Sequence, residues 1–119
     1  PYLRTSGQQM AEDVIRHLEH ALQICGEDHV GIGTDGTISP VQVTPEYRQA
    51  FVEEMAERRK LGIAAPGERA DAFTFVPDLN TPRRFEKLAC LLSKRGHSDR
   101  QIGKILGGNF DRLFREVWG

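Results

Sequence analysis

The sequence predicts an α/β protein that is mostly helical, with one clear strand at about residues 29–34. Over most of the chain, apolar residues recur at three- and four-residue steps, which is the periodicity of amphipathic helices. The segment from Asp28 to Gly36 differs, because it is short, β-branched and rich in glycine. Each glycine would cost a helix about 1 kcal/mol relative to alanine. A helix, a tight turn and a buried strand form half of a parallel α/β repeat.

Composition narrows the class of protein. Of the 119 residues, 39% are apolar and 28% are charged, which excludes a disordered tail, and no apolar run is long enough for a membrane span. The formal net charge of −1 provides no global field to recruit nucleic acid or an anionic membrane. Cys25 and Cys90 form no CxxC motif, so we expect buried thiols in a reducing compartment and a cytoplasmic location.

The first predicted helix runs from Ser6 to Cys25 and leads into the strand. Ser6 and Gln9 have the spacing of a capping box, and Gly26 fits the left-handed position after the last turn. The predicted strand then ends in the polar residue Asp35, at its C-terminal tip.

The rest of the chain is predicted to be helical except for one excursion at about residues 63–80, which Phe73 and Phe75 would anchor. Thr44-Pro45 and Thr81-Pro82 each combine a capping side chain with proline in the first turn. C-terminal helices are expected at about residues 82–118. Within them, Ser98 opens a short capped helix, and a break at Gly107-Gly108 precedes the last helix at Asn109.

Asp35 is the most informative acidic residue. Ligands and catalytic groups collect at the carboxyl ends of strands in α/β architectures. A carboxylate there can bind a metal, take a proton from water or pair with a substrate amine. A carboxylate that caps the following turn fits the pattern equally well, and both interpretations stay open.

His17 and His20 have a spacing that can bind a metal, but they lie at the margin of the apolar stripe and are interpreted as surface histidines.

Residues 83–104 suggest an alternative function. A helix, a short turn and a capped helix with basic residues match a DNA-reading helix-turn-helix in outline. Asp99 and the glycines of the second helix weaken that pattern, and we favour its interpretation as the solvated face of a helical hairpin.

Two longer segments carry a family resemblance. The first runs from His17 to Gly36 and includes Gly26-Glu27-Asp28-His29-Val30-Gly31-Ile32-Gly33-Thr34-Asp35-Gly36. The second runs from Leu91 to Val117 and includes Ile102-Gly103-Lys104-Ile105-Leu106-Gly107-Gly108-Asn109-Phe110. In this order they resemble the C-terminal part of the membrane (renal) dipeptidase family, zinc metallopeptidases of the amidohydrolase type.

The resemblance implies that residues 1–119 form a single segment, the C-terminal third of a TIM-like (β/α)8 barrel, with the last strand at about residues 29–35. It implies hydrolysis of dipeptides, often with a D-residue at the C-terminal position, by a hydroxide that bridges two zinc ions. Asp35 would be the catalytic proton shuttle. Counted back along the chain, Tyr2 falls near the position of an aromatic that lines the substrate pocket, so it would be a substrate-binding residue. The partners would be the dipeptide substrate and the N-terminal portion of the barrel, with no nucleic acid and no membrane.

The chain also departs from the family pattern. The family usually has a second acid two residues after the first, where this chain has Thr37. The family's zinc ligands all precede the matched part, and His17, His20 and His29 match positions that are not ligands. We therefore expect this chain alone to bind no catalytic zinc and to be inactive. The alternatives are a small helical binding module that uses residues 83–104, and an inactive fragment that self-associates as a homo-oligomer.

Overall fold

A computed structural model describes residues 3–4 and 6–119 of the chain. Helices hold 56% of the residues, and the described part contains no sheet. Its strand content is one isolated antiparallel bridge between Arg69 and Ala72. The predicted α/β class is therefore wrong, and the chain is not a segment of a TIM-like barrel with a clear strand.

The described residues form five α-helices and two shorter helical turns. The helices are α1 (Ala11–Cys25), α2 (Pro45–Lys60), α3 (Arg84–Lys94), α4 (Asp99–Gly103) and α5 (Asn109–Trp118). A 3₁₀ turn spans Pro77–Leu79, and a wide π-type turn at Lys104–Gly108 joins α4 to α5. The backbone leaves helical geometry at Gly107, which confirms the predicted break.

The chain divides into two compact units. The first unit combines the residues up to Asp13 with Thr37–Pro82, and the second combines Val14–Gly36 with Arg83–Gly119. Helix α1 therefore contributes its first three residues to one unit and the remainder to the other.

In the first unit, α1 begins later than the sequence predicts. The proposed capping box of Ser6 and Gln9 is wrong, because the helix starts at Ala11. The N–H of Ala11 instead donates to both carboxylate oxygens of Asp78, at 2.9 and 3.1 Å. A carboxylate at a helix N-terminus satisfies a free backbone donor and interacts favourably with the helix dipole.

Helix α2 forms the apolar centre of the first unit. Its predicted cap is confirmed, because the side chain of Thr44 accepts the Tyr47 N–H at 3.2 Å. Phe51 and Met55 on α2 are buried. The ring of Phe73 lies 5.3 Å from that of Phe51, so an aromatic contact anchors the irregular segment after α2, as expected.

The second unit contains the remaining helices. Ser98 caps α4 by accepting the Gln101 N–H at 3.2 Å, as predicted. The predicted Thr81 cap is wrong, because α3 begins at Arg84 after a residue that makes no side-chain cap. The buried apolar residues of this unit are Ile15, Leu18, Val30, Leu88, Leu92, Ile102 and Ile105.

Residues 29–34 are not a strand. Val30 is buried, but the chain from Gly31 to Gly36 forms no hydrogen bond with another described residue. Glycine and β-branched residues favour extended backbone, yet a strand also needs a neighbour that pairs with its N–H and C=O groups. The described residues provide no such neighbour.

The two cysteines are also placed differently from the prediction. Both Cys25, the last residue of α1, and Cys90 on α3 are free and exposed, so the expectation of buried thiols is wrong. The apolar stripes of these helices use other positions, such as Leu18 and Leu88.

Among the helices in the described ranges, none has the length and apolar character required to cross a membrane.

Candidate functional site around Asp35

Asp35 stands out by its backbone conformation. Helix α1 ends at Cys25, and Gly26 reverses the chain with a φ of 78°, as predicted. Asp35, at φ 45°, is the one non-glycine residue in the described part of the chain with a positive φ. The left-handed region is unfavourable for residues with a Cβ, although aspartate tolerates it better than most. Such outliers cluster at functional sites.

The Asp35 carboxylate is accessible. The residue is exposed, and its side chain forms no hydrogen bond or ion pair with another described residue. It therefore does not cap the turn that follows. The Arg84 guanidinium lies nearby, because a methyl group on Gly36 would be 3.6 Å from its Nη1 atom. Water and a ligand can both reach the carboxylate.

Helix α5 holds the loop that leads to Asp35. The Asn109 side chain, 8% exposed, donates to the carbonyl oxygens of Glu27 and Val30, each at 2.8 Å. One turn later, the Arg112 guanidinium donates to the Asp28 carbonyl at 2.7 Å. Side chains of α5 thus satisfy three carbonyl groups of a loop that contains no regular secondary structure.

Lys104 also holds this loop, through contacts with two acidic side chains of the loop. Its ammonium forms ion pairs with the carboxylates of Glu27 and Asp28. The hydrogen bond from Lys104 lowers the pKa of Asp28, and the Asp28 contact is the main cause that raises the pKa of Lys104. These two carboxylates are committed to a structural cation.

Gly31 packs closely against α5. A methyl group added to Gly31 would lie 2.5 Å from Cε2 of Phe110. Only a residue without a side chain lets the ring and the backbone approach this far. The loop from Glu27 to Gly31 is therefore held by polar and apolar contacts together.

A second polar cluster joins α1 to the α3–α4 turn. The Arg95 guanidinium donates to both carboxylate oxygens of Glu19, at 2.7 and 2.6 Å. The His97 ring contacts Glu19 Oε1 at 3.3 Å and Gln101 Oε1 at 2.7 Å. The hydrogen bond from Arg95 is the main cause that lowers the pKa of Glu19. Sequence reasoning missed this cluster, because its partners lie 76 and 78 positions apart.

The histidines do not assemble a metal site. His17, His20 and His29 are exposed, and the Nδ1 atom of His29 lies 2.9 Å from the Cys25 carbonyl oxygen. The described residues contain no group of three or more His, Cys, Asp or Glu side chains placed to hold a metal ion. They therefore do not fit a zinc centre by themselves. The predicted substrate-binding residue Tyr2 lies outside the described residues.

The basic cluster at residues 83–104 is partly neutralised by nearby carboxylates. Helix α4, the expected recognition helix, has only five residues. Arg95 pairs with Glu19, and Lys104 pairs with two carboxylates. Two of the cations that a nucleic-acid backbone would need are already neutralised, so the helix-turn-helix interpretation gains no support.

Helix α5 also carries an exposed apolar face. The large apolar side chains on this face are between 42% and 76% exposed: Phe110, Leu113, Phe114, Val117 and Trp118. The rings of Phe114 and Trp118 stack with centroids 4.8 Å apart. A contiguous apolar surface of this kind is typical of a region that packs against another part of a protein.

Comparison with known proteins identifies no family for the chain. No protein-family model matches the chain, and no solved structure matches it.

Proposed function

We propose that this chain is part of a zinc-dependent dipeptidase that hydrolyses the amide bond of dipeptides, with Asp35 as the group that transfers the proton. The observation that carries the proposal is the state of Asp35. Asp35 presents an accessible carboxylate and adopts a left-handed backbone conformation shortly after an anchored loop. Such a placement costs folding stability and suits a side chain used for chemistry.

The arrangement of the resembling segments supports the proposal. His17–Gly36 and Leu91–Val117 both lie in the second compact unit, whereas most of the chain between them forms the first. Contacts between Glu19 and Arg95 and between Asn109 and the Glu27 carbonyl connect the two segments directly. Stretches that resemble one family at the two ends of the chain thus fold together in the unit that contains Asp35.

The chemistry assigned to Asp35 is general base followed by general acid catalysis. As a water oxygen forms a bond with the amide carbon, the Asp35 carboxylate accepts the proton that the water loses. As the carbon–nitrogen bond breaks, the same carboxyl group gives that proton to the leaving amine. Asp35 returns to its ionised form, and the products are two amino acids.

The zinc ions of this proposal require ligands outside this chain, because its described residues form no metal site. The N-terminal portion of the enzyme would provide them, and the apolar face of α5 is a surface on which that portion can pack. A cytoplasmic location is part of the proposal, and the free thiols of Cys25 and Cys90 agree with it.

The test uses Asp35→Asn in the enzyme that contains this chain together with its N-terminal portion. Asparagine keeps the shape and tolerates a positive φ, but it cannot accept the proton. We expect kcat on an alanyl dipeptide with a C-terminal D-residue to fall about 10²–10⁴-fold, the range of general acid–base catalysis. The zinc content measured by metal analysis should not change.

Asp99→Asn is the matched control, because Asp99 is an exposed aspartate of the same unit without an ion pair to another described residue. We expect this variant to retain its turnover. Unchanged turnover in Asp35→Asn would remove the role of Asp35. A wild-type enzyme without activity on L,L- or L,D-dipeptides would refute the proposed function itself.

A further inference from the structure

We infer that Asn109 is a positioning residue for Asp35: it holds the loop from Glu27 to Val30 and thereby sets where the Asp35 carboxylate lies. The inference rests on the proposed function for the role of Asp35 in catalysis. Asn109 touches neither substrate nor reacting atoms in this scheme. It acts through the backbone that leads to Asp35.

The hydrogen bonds of Asn109 use its full donor capacity. A side-chain amide has two N–H groups, and in Asn109 one donates to the Glu27 carbonyl and the other to the Val30 carbonyl. Two carbonyl groups three residues apart are thus tied to one rigid, planar group. Because Asn109 is buried at the first position of α5, water cannot readily replace these bonds.

The route from Asn109 to Asp35 is short and otherwise unsupported. Gly31 lies against the Phe110 ring, next to the held loop. From Gly31 to Asp35 the chain forms no hydrogen bond with another described residue. Asp35 lies at most about 14 Å from Gly31 along the chain, so a shift of the held end by about 2 Å moves the region that the carboxylate can reach by a similar distance. A displacement of about 1 Å can cost a catalytic group about 10²-fold in rate.

The first experiment does not depend on the proposed function. In the 119-residue chain, ¹⁵N relaxation reports the order parameters of the amides from Asp28 to Gly31. We expect values near about 0.85 in the wild type and below about 0.6 in Asn109→Ala. If Asn109→Ala does not fold, Asn109→Ser, which keeps one donor, serves for the same comparison. Order parameters that match the wild type would overturn the inference.

The matched control is Asn80→Ala in the first unit. The Asn80 side chain also makes two hydrogen bonds to backbone groups, accepting from the Val41 N–H at 2.8 Å and donating to the Val41 carbonyl at 2.9 Å. We expect this variant to leave the order parameters of the Asp28–Gly31 amides unchanged. An equal loss of order in both variants would point to general loosening and would overturn the inference.

The second experiment measures catalysis in the enzyme that contains this chain. Asn109→Ala should lower kcat by about 10- to 100-fold and leave KM within about threefold, because a displaced proton-transfer group affects the chemical step. In a background that already carries Asp35→Asn, Asn109→Ala should cause no further loss. Independent losses that multiply would assign Asn109 a merely structural role and overturn the inference.

The two failures are distinguishable. If the wild-type enzyme hydrolyses no dipeptide, the proposed function fails while the relaxation data still decide whether Asn109 holds the loop. If Asp35→Asn lowers kcat but Asn109→Ala does not, the positioning role fails and the proposed function stands.

Discussion

Substituting Gly31 tests the contact between α5 and the loop that leads to Asp35. A methyl group at this position would lie 2.5 Å from Cε2 and 2.9 Å from Cζ of Phe110. Ordinary carbon–carbon contacts are at about 3.5–4.0 Å, so ring and backbone must separate by about 1 Å. Gly31→Ala therefore disrupts one identified contact.

The expected magnitude combines two opposing effects. Overpacking of this kind costs about 1–3 kcal/mol. Replacing glycine with alanine where the backbone allows it stabilises by about 0.4–1 kcal/mol through the unfolded state. Because the Phe110 ring is 42% exposed and can shift, we expect the lower part of this range, a net loss of up to about 1.5 kcal/mol in the free energy of unfolding for Gly31→Ala.

Gly33→Ala is the control in the same non-helical segment. Nothing lies within 4 Å of a methyl group at Gly33, and its φ is not in the left-handed region. This variant should match the wild type or exceed it by about 0.4–1 kcal/mol. In a Phe110→Ala background, Gly31→Ala should lose its penalty, since the clashing ring is absent.

Urea unfolding followed by far-UV circular dichroism measures all of these variants, because the second unit is helical. Equal stability of Gly31→Ala and Gly33→Ala would contradict the reasoning. So would a penalty at Gly31 that persists without the Phe110 ring, since that would place the cost in the backbone.

Three further predictions concern the same unit. The hydrogen bond from Arg95 is the main cause that lowers the pKa of Glu19. The contribution of Glu19 to the free energy of unfolding should therefore be present above about pH 5 and lost as the pH falls below about 4. In urea titrations between pH 3 and 7, Glu19→Gln should reduce the loss of stability at acidic pH. Ser98→Ala removes the cap on the Gln101 N–H and should cost about 1 kcal/mol in the same assay, whereas Ser98→Asp, which retains a capping oxygen, should cost much less. Trp118, the single tryptophan, is 76% exposed, so its fluorescence emission in the isolated chain should be that of a hydrated indole. The emission should shift to the blue when the N-terminal portion of the enzyme is added. A blue shift that instead increases with the concentration of the chain, together with self-association in sedimentation, would identify a second copy as the occupant of the α5 face.

Helix positions were predictable where the signals that define them are local. Thr44 and Ser98 cap helices within three residues of themselves, and both caps are confirmed. The start of α1 was not predictable, because its first N–H is capped by Asp78, 67 positions away. Local patterns identify a helix, but distant groups can decide where it begins.

The strand prediction failed for a related physical reason. The residues around Ile32 have the β-branched and glycine pattern of extended backbone, and the backbone there is indeed non-helical. Pairing depends on a second segment, which a single sequence pattern does not identify. The prediction was thus correct that this segment is not a helix, and wrong about the strand and the class of fold.

The site shows the same division between local and distant information. Sequence position alone identified Asp35 as a candidate. The groups that hold the preceding loop, Lys104, Asn109 and Arg112, lie 77 to 84 positions from the loop residues that they contact. The backbone at Asp35 adds what the pattern could not provide. A turn-capping aspartate accepts a hydrogen bond from the following backbone, and Asp35 accepts none from the described residues. Glycine would adopt the same positive φ without a Cβ penalty. A carboxylate in that position therefore favours a role in chemistry over a role in folding.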